Sequence, residues 1–144
     1  MTETQRPIRL LVVDDHPVVR AGLTSLLATA DDIEIVATAS DGGEAVALAA
    51  KHHPAVVLMD LSMPRVGGVE ATRRIRAADE RVSIVILTAS SRRNEVAAAL
   101  SAGATGYVLK DAEPALLIGA VRAAARGDFN SAYPQLNIPP APAT

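Results

Sequence analysis

The sequence predicts an α/β fold, a five-stranded parallel sheet that is doubly wound with helices on both faces. Five short apolar runs alternate with five amphipathic segments, the pattern typical of parallel strands joined by right-handed helical crossovers. The third run, residues 55–59, is apolar throughout, which indicates a strand buried on both faces of the sheet. For a doubly wound sheet of five strands we expect the strand order 2-1-3-4-5.

Each element is predicted from a run of residues and a signal at its end. The predicted strands cover residues 8–13, 33–37, 55–59, 82–87 and 106–109, and Glu34 suggests that the second strand lies toward an edge. Asp41 and Glu44 have the spacing of a capping box at the start of the second helix. The other four predicted helices start near Pro17, Gly67, Ser91 and Pro114.

Composition limits the kind of protein. The chain has 144 residues, a net charge of -2, no cysteine and three aromatic residues, so we expect one domain with an aliphatic core and no disulfides. No apolar run approaches the length of a membrane span, and residues 1–7 lack the apolar core of a signal peptide. These features predict a cytoplasmic protein that does not enter a membrane.

The C-terminal residues differ from the rest. Residues 129–144 contain Pro134, Pro139, Pro140 and Pro142 and show no helical or strand periodicity. We therefore expect a folded domain at residues 1–128, followed by a proline-rich linker or tail outside the core.

Polar residues follow four of the five predicted strands. Asp14 and Asp15 come after the first strand, Asp60 after the third, Thr88 after the fourth and Lys110 after the fifth. The carboxyl ends of parallel strands meet at one edge of the sheet, where open α/β sheets bind their ligands. The order 2-1-3-4-5 makes strands 1 and 3 neighbours, so the three aspartates should lie close together.

Such a cluster suits phosphoryl transfer to a carboxylate. Three adjacent carboxylates repel one another unless a hard cation lies among them, and Mg2+ prefers oxygen ligands. Asp60 would be the nucleophile, Lys110 would neutralise the charge of the incoming phosphoryl group, and Thr88 would donate its hydroxyl to it.

Simpler interpretations exist for each residue alone. Asp15 could cap the first helix, Lys110 could be a solvated surface lysine, and Thr88 could be a loop hydroxyl. Their convergence at one sheet edge favours the functional interpretation. His16, His52 and His53 are interpreted as helix-end residues without an acid-base partner.

The motifs together resemble a known family. V-V-D-D-H-P, L-M-D-L-S-M-P, the L-T-A at 87–89 and G-Y-V-L-K at 106–110 are similar to the motifs of bacterial two-component receiver domains. The resemblance covers residues 8–127 and implies the flavodoxin-like (CheY-like) fold. The D-D-H-P, D-G-G-E-A and G-A-T-G-Y-V-L-K-D-A segments resemble the NarL/LuxR-type response regulators.

For the metal and the phosphoryl group, the resemblance implies specific roles. A sensor histidine kinase would donate the phosphoryl group to Asp60. Mg2+ would be bound directly by Asp15 and mostly through water by Asp14. Asp60 and the backbone carbonyl of Ser62 would complete the ligands.

The resemblance also implies a switch. Lys110 would contact the phosphoryl group, Thr88 would move toward it, and Tyr107 would turn inward behind Thr88. Many receivers have proline after the active-site lysine, but Asp111 stands here, so we expect a trans Lys110–Asp111 peptide.

The implied output is transcriptional. NarL/LuxR-type regulators continue into a helix-turn-helix domain that is absent from this chain, so DNA would be bound only through that missing domain. Phosphorylation would change a protein surface and favour a homodimer; the domain would catalyse only its own phosphorylation and dephosphorylation. A stand-alone receiver is the alternative. An aspartyl-phosphate phosphatase and a flavodoxin-like nucleotide binder are disfavoured, because residues 14–18 match neither D-x-D-x-[TV] nor a phosphate loop.

Overall fold

The fold alternates strands and helices in the predicted order. A computed structural model of the chain describes residues 6–61, 63, 66–89 and 93–129. The strands are β1 (Ile8–Val13), β2 (Ile33–Ala39), β3 (Val56–Asp60), β4 (Ser83–Thr88) and β5 (Gly106–Leu109). The helices are α1 (Pro17–Ala28), α2 (Gly42–His52), α3 (Gly68–Ala78), α4 (Arg93–Ala102) and α5 (Pro114–Arg126). The second strand is two residues longer than predicted.

The five strands form one parallel sheet in the order β2-β1-β3-β4-β5, which confirms the predicted topology. β1 and β3 are hydrogen-bonded neighbours, with Val13 opposite Met59. Asp14 and Asp60, the next residues on each strand, therefore reach the same edge of the sheet. Glu34 is exposed on β2, as expected for an edge strand.

Apolar side chains pack on both faces of the sheet. Successive residues of β1 alternate between two cores: Leu10 and Val12 pack with α1 and α5, while Leu11 and Val13 pack with α2, α3 and α4. A strand covered on both faces has no position for a polar side chain along its length. This is why β3 and residues 10–13 of β1 contain no alternation, whereas the edge strand β2 carries the exposed Glu34.

The start of α2 confirms the predicted capping interaction. The Asp41 side chain accepts a hydrogen bond from the Glu44 backbone N–H at 2.8 Å. Glu44 accepts from the backbone N–H of Ser40 at 2.7 Å, one residue before the position that a capping box would use. The cap predicted at Ser91 lies outside the described residues.

The helical periodicity of α3 predicts that Arg73, Arg74 and Arg76 lie on an outward, solvated face, but Arg76 does not. It is half-buried, and its guanidinium donates to the Gly103 carbonyl through Nε at 3.1 Å and Nη2 at 2.9 Å. Gly103, just after α4, has a positive φ of 120°. The arginine side chain is long enough to reach this helix end, which a helical-wheel argument does not consider. Arg73 and Arg74 are exposed, as predicted, and both pair with Glu70.

The folded core extends past the predicted boundary at residue 128. Phe129 is 2 % exposed and packs in the core beside α5. Its ring lies so close to Gly106 that a Cβ at that position would overlap it. The expectation that residues 129–144 lie outside the core is therefore wrong for Phe129. An isolated aromatic before a proline-rich segment carries no periodicity from which its burial could have been predicted.

An ion pair links Arg122 of α5 to Asp32, the residue before β2. Arg122 donates to both carboxylate oxygens of Asp32, each at 2.9 Å. The hydrogen bond from Arg122 is the main cause that lowers the pKa of Asp32 below its model-peptide value of 3.8, and it exceeds the opposing effect of burial. Because the folded-state pKa is lowered, the pair stabilises the fold above the unfolded pKa and is lost as pH falls through the folded one.

We expect Arg122→Gln to lower the free energy of unfolding slightly at neutral pH. Both side chains are partly exposed, so solvent screens the pair and the loss should be small. The difference from the wild type should shrink as pH falls below about 3.8, and urea unfolding at several pH values would measure it. Asp32→Asn should show the same profile, and the double variant should lose little more than either single one. A pH-independent difference would contradict this assignment.

Candidate functional site

Four strand ends bring the predicted polar residues to one edge of the sheet. Asp14 follows β1 and Asp60 ends β3, and both are fully buried. Thr88 ends β4 and is 2 % exposed, whereas Lys110 follows β5 and is exposed. Asp15 is partly buried beside Asp14. The structure therefore gathers these five predicted residues in a single location.

Lys110 is in contact with Asp60. Its Nζ lies 3.2 Å from Asp60 Oδ1, and the Lys110 backbone N–H donates to the Thr88 carbonyl at 2.8 Å. The backbone bond continues the β4–β5 ladder by one residue, which fixes where the lysine side chain starts. The positive charge of the Lys110 ammonium group therefore compensates the negative charge of the buried Asp60 carboxylate. The Lys110–Asp111 peptide is trans, as predicted.

The remaining acidic groups form a cluster that could hold a metal ion. One ligand atom from each of Asp14, Asp15, His16 and Asp60 can be chosen so that all lie within 4.8 Å of one another. Asp14 Oδ1 accepts from the His16 backbone N–H at 2.8 Å. Asp14 Oδ2 is buried, and no hydrogen-bond partner for it occurs among the described residues. A buried carboxylate oxygen without a donor is costly, and a hard cation would satisfy it. The residues therefore fit Mg2+.

His16 is the site residue that sequence reasoning missed. Its Nδ1 lies 3.0 Å from Asp15 Oδ1 and 3.5 Å from Asp14 Oδ1, so the expectation that it has no acidic partner is wrong, whereas its predicted position at a helix end is confirmed. The signal was its position directly after Asp14-Asp15. His16, not Asp15, is the N-cap residue of α1. His52 and His53 lie at the end of α2, as predicted.

The backbone at the start of α3 lies very close to the end of β3. A Cβ at Gly68 would lie 2.7 Å from the Asp60 carbonyl oxygen and 2.9 Å from Leu61 Cα, so only glycine fits without movement. The Gly68 N–H donates to the Leu61 carbonyl at 3.2 Å. This glycine therefore fixes the approach of α3 to the end of β3, beyond its predicted role at a helix start. Ser62, predicted to offer its backbone carbonyl to the metal, lies outside the described residues.

The predicted switch residues Thr88 and Tyr107 lie on the neighbouring strands β4 and β5, two positions apart in the register, because Thr88 is opposite Leu109. Thr88 Oγ1 donates to the Ala89 carbonyl at 3.2 Å. Tyr107 is half-buried and packs against both cores, with its backbone opposite Ile86 in the sheet register. The ring is thus at the boundary between the core and the surface, one strand away from the strand that Thr88 ends.

Comparison with known proteins identifies the family. Residues 10–122 match the family model described as "Response regulator receiver domain". This chain belongs to the response regulator receiver family. The fold and the strand order described above are those of a receiver domain of the NarL type.

Among its relatives are transcriptional regulators. The receiver is 39 % identical over 125 residues to the nitrate/nitrite response regulator protein NarL of Escherichia coli K12, covering 87 % of this chain and 58 % of that protein. It is 41 % identical over 121 residues to the transcriptional regulatory protein LiaR of Bacillus subtilis 168, covering 84 % of this chain and 57 % of that protein. The chain therefore spans less than two thirds of the length of these relatives.

A solved structure with the same fold is the LuxR-family two-component response regulator of Aurantimonas sp. SI85-9A1. The TM-score is 0.80 at 37 % identity, covering 91 % of this chain and 99 % of that one. No helix within the described part of the receiver is long and apolar enough to cross a membrane.

Carboxylate crowding leads to a testable stability effect. In the absence of divalent cations, we expect Asp14→Asn to raise the melting temperature, because it removes one of several adjacent buried negative charges. The amide oxygen can still accept from the His16 N–H, so the local backbone should remain in place. Differential scanning fluorimetry in excess chelator would measure the change.

The exposed Asp31 offers a matched control, since Asp31→Asn changes the net charge equally away from the cluster. Added Mg2+ should stabilise the wild type and stabilise Asp14→Asn less. An unchanged or lower melting temperature for Asp14→Asn in chelator would show that Lys110 and His16 already balance the cluster.

Proposed function

We propose that this receiver accepts a phosphoryl group from a sensor histidine kinase onto Asp60, with Mg2+ bound at the acidic edge. The observation that carries the proposal is the contact at 3.2 Å between Lys110 Nζ and Asp60 Oδ1, beside the buried, unsatisfied Oδ2 of Asp14. The nucleophile Asp60, the Lys110 ammonium group and the acidic metal ligands would then all lie at one edge of the sheet. Membership in the receiver family supports the same chemistry.

The reaction is a displacement at phosphorus. A carboxylate oxygen of Asp60 forms a bond to phosphorus while the bond from phosphorus to the donor imidazole nitrogen breaks, and the donor leaves with that electron pair. Lys110 neutralises charge on the transferring group.

Asp14, Asp15, Asp60 and the backbone carbonyl of Ser62 would hold Mg2+. When bound, Mg2+ would neutralise the negative charge of the phosphoryl oxygens and would keep coordination positions open for them. The acidic side chains thereby acquire a role in positioning the phosphoryl group as well as in binding the cation.

The output would be a surface change. We infer that Thr88 leaves the Ala89 carbonyl for a phosphoryl oxygen and that Tyr107 turns inward behind it, which alters the surface of α4, β5 and α5. This surface would favour a homodimer of the phosphorylated form. The output would be transcriptional, carried by a helix-turn-helix domain in the cytoplasm; the relative LiaR, which is named a transcriptional regulatory protein, supports the transcriptional part of this proposal. A stand-alone receiver that acts through protein contacts is the second candidate.

Acetyl phosphate provides the direct test. Incubation with acetyl phosphate and Mg2+ should add one phosphoryl group, detected by intact mass spectrometry, and excess chelator should prevent the addition. The modification should be labile to hydroxylamine, as expected for an acyl phosphate. Absence of the mass increment in the presence of Mg2+, or labelling that survives the chelator, would contradict the proposed function.

A further inference from the structure

We propose that His16 is an additional ligand for a divalent cation at the acidic edge, and that its imidazole raises the affinity for Co2+, Ni2+ and Zn2+ relative to Mg2+. The inference rests on the proposed function, because it takes the cluster of Asp14, Asp15 and Asp60 to be a cation site. It adds a residue outside that set of carboxylates and assigns it a role in metal selectivity.

The distances match those between ligands of one ion. His16 Nδ1 is 3.0 Å from Asp15 Oδ1 and 3.5 Å from Asp14 Oδ1. In an octahedral site with metal–ligand bonds of about 2.1 Å, neighbouring ligand atoms are about 3 Å apart and opposite ones about 4 Å apart. The chosen atoms of the four residues, His16 included, lie within 4.8 Å of one another. Because this limit exceeds the separation of opposite ligands, binding of an ion would draw the four atoms closer together.

Two buried oxygens show that the cluster is not satisfied by its own contacts. Asp15 Oδ1 is close to the imidazole, yet within the described part of the chain it has no hydrogen-bond partner. Asp14 Oδ2 likewise has no hydrogen-bond partner among the described residues, and the Asp14 side chain is fully buried. Asp14 Oδ2 is thus left for a cation to satisfy, and Asp15 Oδ1, which already contacts the His16 imidazole at 3.0 Å, lies where a neighbouring ligand of the same ion would lie.

The backbone of His16 is held in place before any metal binds. Its N–H donates to Asp14 Oδ1 at 2.8 Å, and Pro17 begins α1 directly after it. Arg20 Nη1 donates to the Asp14 carbonyl at 2.7 Å, which fixes the preceding turn. Ligation would therefore order only the two torsions of the imidazole, a small entropic cost. The side chain is 65 % exposed, so the solvent side of the site remains open.

The chemistry of the imidazole nitrogen determines which ions benefit. Mg2+ prefers oxygen ligands and gives up its waters reluctantly, so a nearby nitrogen adds little to its binding. Imidazole is a good ligand for Ni2+ and Zn2+, and affinities for nitrogen and oxygen sites rise from Mn2+ toward Cu2+. His16 should accordingly raise the affinity for Co2+, Ni2+ and Zn2+ more than the affinity for Mg2+.

Titration of the metal-free protein with Co2+, followed by its visible absorption, tests the inference, and Mg2+ affinity is obtained by competition. His16→Gln should lower the ratio of Co2+ affinity to Mg2+ affinity about tenfold or more, since even outer-shell substitutions cost that much. The nitrogen contribution to the Co2+ absorption should be lost as well. His52→Gln is the matched control, because His52 ends α2 and its carbonyl accepts a hydrogen bond from Arg9 near the start of β1, at the opposite end of the strands from the acidic edge.

A wild-type affinity ratio and Co2+ spectrum in His16→Gln would overturn the inference. Equal losses in the His52→Gln control would also overturn it, by showing that the histidines bind Co2+ nonspecifically. Failure of the proposed function appears differently: Asp14→Asn would then leave both Mg2+ and Co2+ affinities unchanged, and acetyl phosphate would not label the wild type.

Discussion

Asp60→Asn is expected to gain no phosphoryl group from acetyl phosphate and Mg2+, whereas the wild type gains one. Asparagine has nearly the same shape as aspartate, so the buried end of β3 should keep its packing. Its amide lacks the negative charge that makes the carboxylate a nucleophile, and it cannot form the ion pair with Lys110. Intact mass spectrometry would show the difference as complete loss of the mass increment.

Two further variants help to interpret this result: a control with an unchanged site and a variant that lacks the neighbouring cation. Asp111→Asn removes the exposed acid directly after Lys110 and should be labelled like the wild type. Lys110→Ala keeps the nucleophile but removes the neighbouring cation, so it should be labelled more slowly. A hydroxylamine-sensitive label that persists on Asp60→Asn, with its far-ultraviolet circular dichroism unchanged, would show that another carboxylate accepts the phosphoryl group.

Phe129→Ala is expected to cause the largest loss of stability of the substitutions considered. The ring is 2 % exposed and fills the space above Gly106 in the core shared by α1 and α5. Removing a buried phenyl ring typically costs about 3–5 kcal/mol, through lost transfer free energy and the cavity left behind. For a domain of this size, the melting temperature should fall by about 10 °C. Urea and thermal unfolding followed by circular dichroism would measure both quantities.

Val18→Ala is the matched control for the loss of an apolar side chain. Val18 is 85 % exposed, so its truncation should change stability by less than about 0.5 kcal/mol. A chain that ends at residue 128 should resemble Phe129→Ala. If Phe129→Ala unfolded like the wild type, the folded domain would end at 128 and residue 129 would belong to the linker.

The sequence alone was sufficient to predict the sheet and the edge at which the acidic residues meet. Apolar runs without alternation can be satisfied only by strands covered on both faces, and their separation by helices requires parallel pairing. Parallel strands end at one edge, so the positions of Asp14, Asp60, Thr88 and Lys110 in the chain already implied their proximity. These conclusions depend on patterns that are local in sequence, combined with a small set of allowed topologies.

Other features were decided only by the tertiary structure. Arg122 and Asp32 are 90 residues apart in sequence, and their ion pair exists because α5 packs beside the start of β2. Phe129 is buried because the turn after α5 directs its ring to the space above Gly106. His16 lies beside Asp15 because of the backbone turn held by Asp14 Oδ1. Each contact depends on the direction of one side chain after the elements have packed, and hydrophobic periodicity contains no information about that direction.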